Sequence, residues 1–180
     1  MAESSFLHPH KTLLAAKVSE GLVAADFGAG SGFFTRALAR EVGESGEVWA
    51  VDLHAEMLPR LKTLASAEGL HNVEVIQGDI EVVGGTNLPD NHFDFVVLAN
   101  VLFSLEHKGE CAAEVRRVLK KGGRALVVDW VDSFGGLGPH ESHVITGEDA
   151  RVLFESQGFT YLEEVPAGLY HWGFVVRKKS

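Results

Sequence analysis

Short runs rich in Val, Leu and Phe alternate along the chain with longer stretches whose apolar residues recur at helical spacing. That alternation predicts βαβ units and a mostly parallel sheet, because parallel strands need a crossover helix between them. Residues 22–27 read as the first strand. A helix follows over 33–42, with Phe34, Ala37, Leu38 and Val42 on one face and Gly43 as its stop. Residues 47–52 predict the second strand, 55–68 its helix on Leu58, Leu61 and Ala65, and 72–77 the third strand. Between 80 and 91 the pairs Gly84-Gly85 and Pro89-Asp90 favour loop over helix. Residues 93–99 read as a fourth, fully buried strand, 110–120 as a helix ended by Gly122-Gly123, and 124–130 as a fifth strand. Residues 132–146 form an irregular loop, and 147–157 a helix capped by Thr146 and stopped by Gly158. The last two runs, 160–165 and 171–177, flank Pro166 and Gly168 closely enough to predict an antiparallel hairpin.

Chemistry first enters at the turn Asp26-Phe27-Gly28-Ala29-Gly30-Ser31-Gly32, which joins a buried strand to a helix. Missing side chains there let a ligand approach the backbone, and the helix amino-terminal amides are expected to point at it. A dinucleotide fingerprint would place its third glycine at position 33, which is Phe33. Asp26 adds a carboxylate beside the loop, which repels a pyrophosphate and attracts an amino group or a sulfonium. Asp52 ends the second strand, where it can accept hydrogen bonds from both hydroxyls of a ribose. Asp79 follows the third strand and can accept from an adenine amine. These carboxylates fall at the carboxyl ends of neighbouring strands, the edge at which open α/β sheets bind ligands.

Composition narrows the partners. The 180 residues suit one domain with a sizeable core. Twenty-five acidic against sixteen basic residues give a formal charge of -9, which disfavours nucleic acid. The single cysteine, Cys111, allows no intrachain disulfide and points to the cytoplasm. The amino terminus lacks a signal-like apolar stretch, and the longest apolar run, 95–103, is too short to span a bilayer.

The run from Val23 through Asp26, Gly28, Gly30 and Gly32 resembles the first motif of the class I S-adenosylmethionine-dependent methyltransferases. Trp49 to Asp52 is similar to their ribose-binding acidic motif, Gly78-Asp79-Ile80 to their adenine-binding motif, and Phe93 to Leu102 to their fourth motif. Gly122-Gly123 resembles the turn before the fifth strand, with Lys121 where the family usually has Pro. The resemblance spans residues 20–177 and implies a single Rossmann-like, doubly wound sheet of seven strands that ends in the antiparallel hairpin. It looks nearest to the small-molecule branch that includes ubiquinone-biosynthesis and arsenite methyltransferases, although the arsenite cysteines are absent. It implies S-adenosylmethionine as cofactor and S-adenosylhomocysteine as product. The implied cofactor contacts are Asp26, Gly28, Ala29, Gly30, Gly32, Phe33, Asp52, Leu53, Met57, Gly78, Asp79, Ile80, Asn100 and Val101. Residues 1–20 form an amino-terminal segment that either folds over the cofactor as a lid or frays; 21–180 form the methyltransferase domain.

Methyl transfer from a sulfonium is an in-line displacement that needs orientation more than a base. If a base is used, Asp129, Asp132, His140 and His143 lie at the expected end of the sheet. Asp129 has an alternative role as a strand-end carboxylate bonded to backbone. His10, Phe103, Trp130, Tyr170 and Trp172 are candidates for the acceptor pocket, with His171 beside them, and each has core packing as its alternative. His8-x-His10 and His140-x-x-His143 permit a metal site, but no acidic or cysteine partner is fixed by spacing, so no metal is expected. The leading expectation is a cytoplasmic enzyme, monomer or homodimer, acting on a small molecule. Its rivals are a protein or nucleic-acid methyltransferase, a non-catalytic cofactor-binding module and a nicotinamide oxidoreductase. Asn100 lacks the Pro-Pro-aromatic sequel of amino-methylating nucleic-acid enzymes, and Cys111 lacks the neighbouring Pro of a C5-methylating nucleophile.

Overall fold

In the computed structural model, which describes residues 6–180, the buried apolar runs become β1 (Val23–Phe27), β2 (Glu47–Asp52), β3 (Val73–Gln77) and β4 (Phe93–Ala99). They are followed by β5 (Leu119–Trp130), β6 (Phe159–Glu164) and β7 (His171–Lys178). One seven-stranded sheet runs in the order β3-β2-β1-β4-β5-β7-β6. The pairs β1–β2, β2–β3, β1–β4 and β4–β5 are parallel, whereas β7 lies antiparallel to both β5 and β6. The strand order reverses between β1 and β4, the switch point at which open α/β sheets leave a crevice at the carboxyl ends of their strands.

Among the described residues five α-helices cover the sheet: α1 (Pro9–Ala15), α2 (Phe33–Val42), α3 (Met57–Ala67), α4 (Lys108–Val118) and α5 (Gly147–Ser156). The two-residue period of the strands sorts their side chains between two cores. Ala24, Ala50, Val97, Val128 and Val175 pack with Leu13 of α1, Leu38 of α2 and Leu61 of α3. Phe27, Val51, Leu98, Val127 and Phe174 pack on the other face with Val115 of α4 and Phe154 of α5. The inner strands β1 and β4 are largely apolar on both faces because both faces are covered.

The predicted helix over 33–42 and the strands over 47–52 and 93–99 appear with those limits, and the terminal hairpin pairs as expected. The boundary between α4 and β5 differs from expectation. The helix expected to run to Lys120 ends at Val118, and the chain is extended from Leu119 onward. Leu119 is fully buried and pairs with Phe93, so packing and a ladder bond end the helix before the glycines can. The amino-terminal segment, read as a lid or a frayed end, contains α1. Pro9 opens this helix, Leu13 and Ala16 are fully buried, and the Thr12 hydroxyl donates to Pro166 O at 3.0 Å. Residues 1–5, the start of that segment, lie outside the described residues.

The loop after β3 is fixed from below by Glu114 of α4, whose side chain is completely buried. Its carboxylate accepts from Gly84 N at 2.7 Å, from the Thr86 hydroxyl, and from Arg117 Nη2 at 2.7 Å. Burial alone would raise its pKa, but these donors hold it below the ordinary value. The loop that carries Asp79 is therefore anchored although it contains no helix.

Candidate cofactor site

The tips of β1, β2, β3 and β4 meet at the carboxyl edge of the sheet. Asp26, Gly28, Ala29, Gly30, Ser31, Phe33, Phe34, Ala99 and Asn100 line a cleft of about 230 Å³ there. Gly28 has φ +75°, and a Cβ on it would lie 2.4 Å from Val101 Cγ2, so this glycine serves the closure of the turn. Gly30 also has a positive φ, of +52°, but nothing lies within 4 Å of where its Cβ would stand. That absent side chain keeps space open.

Four of the loop amides that precede α2 are taken up within the protein. Gly28 N and Ala29 N donate to Val51 O at 2.9 and 3.0 Å, Gly32 N to Ala29 O at 2.8 Å, and Gly30 N to Asp52 Oδ2 at 2.8 Å. These four amides are committed to the protein, so they do not form the cradle that a phosphate would need. The other Asp52 oxygen accepts from His54 N at 2.9 Å. Asp52 is thus a buried brace between β2 and the glycine loop, with only half of its acceptor capacity used.

Asp26 is 2% exposed and accepts from the Thr35 hydroxyl at 2.6 Å. Burial pushes its pKa up to about 6, opposed by the Thr35 hydrogen bonds and assisted by the nearby charge of Asp52. Asn100 sits at the tip of β4 with φ 58°, and its Oδ1 is buried without a hydrogen-bond partner. A non-Gly residue held at positive φ with an unmet acceptor marks a place prepared for a donor. Gly78 N donates to Asp52 O at 3.1 Å and Gln77 Nε2 to Leu53 O at 3.1 Å, which brings the β3 tip against the β2 tip. Asp79 Oδ1 accepts from Glu81 N at 2.8 Å, Ile80 and Val101 are buried, and Met57 opens α3. Phe33 and Leu53 leave large apolar side chains 66% and 55% exposed beside these groups.

Sequence reading named Ser31 within the turn, assigned Ala99 to the fourth strand and Phe34 to the helix core, and passed over Thr35 as a site residue. Thr35 lies nine positions beyond Asp26, in the first turn of α2, and its pairing with a buried carboxylate had no local signature. The acceptor candidates separate in space. Asp129 is fully buried and accepts from Phe103 N at 3.1 Å and Trp130 N at 2.8 Å, while burial raises its pKa to about 6. Phe103 and His143 share a different cavity, of about 430 Å³. His140 is exposed and its Nδ1 meets the Ser142 hydroxyl at 2.9 Å, and Asp132 is exposed with Ser133 N on its Oδ1. His10 pairs with Glu41 at 2.5 Å where α1 meets α2. Trp172 stacks on Phe174 and donates to Ile145 O at 3.0 Å. Trp130 stands against His171 where β5 meets β7, and Tyr170 packs against Phe134 and Phe6. Among the described residues no three His, Cys, Asp or Glu side chains gather as a metal site.

A doubly wound sheet with acidic strand tips around a glycine turn defines a nucleoside-binding α/β domain, and the comparisons specify which one. Residues 25–127 match the family model described as a methyltransferase domain, and the chain belongs to that family. It is 38% identical over 120 residues to the ubiquinone/menaquinone biosynthesis C-methyltransferase UbiE of Pseudomonas paraeruginosa, covering 66% of this chain and 46% of that protein. The Cupriavidus necator protein of the same name is 31% identical over 157 residues, 85% of this chain and 63% of its own. This chain thus spans about half the length of the first of these relatives. A crystal structure of a SAM-dependent methyltransferase from Aquifex aeolicus superposes with a TM-score of 0.87 at 28% identity, over 96% of this chain and 90% of that one. The fold alone is shared with the [4+2]-cyclase SpnF, at 18% identity and a TM-score of 0.77.

Proposed function

We propose that this chain transfers the methyl group of S-adenosylmethionine to a small-molecule acceptor and releases S-adenosylhomocysteine. The observation that carries this reading is the pair of buried carboxylates, Asp26 and Asp52, flanking a glycine turn four of whose amides are spent on the protein. Such a cleft repels phosphate and favours a cationic ligand. The residues present fit the cofactor. Asp26 faces the cleft as the counter-charge, Gly30 leaves room for the ligand, and the unpaired Asn100 Oδ1 can take a donor. Asp52 retains lone pairs for ribose hydroxyls, and Asp79 and Ile80 offer an acceptor and an apolar wall to the adenine. Exposed Leu53 and Phe33, with Met57, supply further apolar surface to it.

When bound, the cofactor supplies an activated methyl group on a sulfonium. The chain's own task is to hold that group in line with an acceptor atom and exclude water. Asp129 is engaged by two backbone amides, which favours catalysis by proximity and orientation over a dedicated base. A small acceptor is supported by the formal charge of -9 and by Val101-Leu102-Phe103 after Asn100. Relatives named for quinone biosynthesis support it too. The buried lone Cys111 accords with a cytoplasmic enzyme.

Thermal shift tests the cofactor and homocysteine release tests the transfer. S-adenosylhomocysteine is expected to raise the melting temperature and NAD to leave it unchanged, with Asp52→Ala abolishing the response. Across thiols, amines, phenols and quinols, complete inactivity despite tight S-adenosylhomocysteine binding would replace the enzyme with a binding module.

A further inference from the structure

Past Ala99, the last residue of β4 paired in register with β5, the chain leaves the ladder with a sharp change of direction. Asn100 N still donates to Val128 O at 2.9 Å, but Asn100 itself is left-handed at φ 58°, and Leu102–Ser104 form a single 3-10 turn. The first amides of such a turn have no partner inside it, and Val101 and Leu102 are buried away from water. The neighbouring strand supplies the acceptor. Asp129, fully buried near the end of β5, takes Phe103 N on Oδ2 at 3.1 Å and Trp130 N on Oδ1 at 2.8 Å. Burial raises the pKa of this carboxyl to about 6, and the amides of Trp130, Phe103, Leu102 and Val101 all oppose the rise. Protonation leaves lone pairs on both oxygens, so the brace is set by geometry more than by charge.

Two residues at the start of this braced turn reach the glycine loop. Asn100 lines the cofactor cleft, with its Oδ1 buried and unmet. Val101 Cγ2 stands 2.4 Å from where a Cβ on Gly28 would lie, so its side chain rests directly on the loop. A left-handed residue with an unsatisfied buried acceptor keeps its place only where its surroundings over-determine it. The Ser104 hydroxyl and amide both donate to Val101 O, at 2.8 and 3.0 Å, which closes the turn on itself. Asp129 fastens that closed turn to the sheet. It is not among the residues that line the cleft, so any effect it has on a ligand there passes through the turn.

Resting on the cofactor reading above, we propose that Asp129 is a positioning residue: it fastens the turn after β4 to β5 and thereby holds the side-chain oxygen of Asn100 where the cofactor needs an acceptor. Calorimetric titration of the full chain with S-adenosylhomocysteine tests this in a double-mutant cycle. Asp129→Leu, similar in size and without an acceptor, is expected to weaken binding at least about tenfold, and Asp129→Asn, which keeps one oxygen, by about threefold. Asn100→Gly suits the positive φ and removes the acceptor. In that background neither Asp129 substitution is expected to weaken binding further, because the group being positioned is gone. A brace that served the fold alone would lower the melting temperature in both backgrounds yet leave the affinity of the folded chain unchanged. That result, or an undiminished loss of affinity in the Asn100→Gly background, overturns the assignment. If Asp129→Leu does not fold, Asp129→Asn carries the same cycle. A native chain that binds no S-adenosylhomocysteine counts instead against the cofactor reading, and the positioning role falls with it.

Discussion

Asp26→Asn removes one charge from the cleft while preserving size and an oxygen for the Thr35 hydroxyl. In the ligand-free chain Asp26 titrates at about 6, so it is mostly ionised at pH 7 and mostly protonated at pH 5. A ligand that brings an ammonium to the cleft binds the ionised form better and pulls the pKa below this range. Below pH 6 the carboxyl must give up its proton before it can serve. Between pH 7 and pH 5 that linkage weakens binding by about tenfold, or about 1.4 kcal/mol. His171, at about 4, stays neutral throughout and does not obscure the effect. Calorimetric titration with S-adenosylhomocysteine at three pH values reads it directly. The native chain should show the tenfold decline and Asp26→Asn a weak, nearly flat profile. A flat native profile, or a variant that keeps the slope, would refute the idea that Asp26 is the counter-charge.

The same substitution should act oppositely on stability. A carboxyl whose folded pKa lies above its unfolded value of 3.8 favours the folded state at low pH, and that advantage is lost as pH climbs from about 4 through about 6. At pH 7 Asp26→Asn should stabilise the ligand-free chain by up to about 3 kcal/mol, read by chemical denaturation. The two loop glycines should separate fold from function. Gly28→Ala drives a methyl into Val101 and should cost roughly 2–3 kcal/mol of stability. Gly30→Ala meets no protein atom, so its cost should stay near about 1 kcal/mol while S-adenosylhomocysteine binding collapses in the thermal-shift assay. Glu114→Ala leaves Arg117 and the amides of the β3 loop without their partner, and should cost about 3–5 kcal/mol in urea melts. If it does not, the loop that carries Asp79 is held by something other than this carboxylate.

Sequence alone determined the order of elements, the α/β class and the acidic strand tips. Those features are local: periodicity in the runs, glycine at a strand–helix turn, and Asp26, Asp52 and Asp79 at the ends of apolar segments. The departure from a dinucleotide fingerprint could also be read there, from Phe33 standing where a third glycine would be required. Tertiary structure decided whatever depends on contacts distant along the chain. It ended α4 at Val118 because Leu119 pairs with Phe93, and it drew the amino-terminal helix into the core through Leu13 and Thr12. It also turned the glycine-loop amides inward onto Val51 and Asp52. Thr35 became the partner of Asp26, and Glu114 the anchor of a loop about 30 residues before it, through hydrogen bonds that leave no periodic mark. Asp129 could be read in the sequence as a strand-end carboxylate bonded to backbone. Only its burial against the amide of Phe103 shows which turn it holds, and burial belongs to the folded chain.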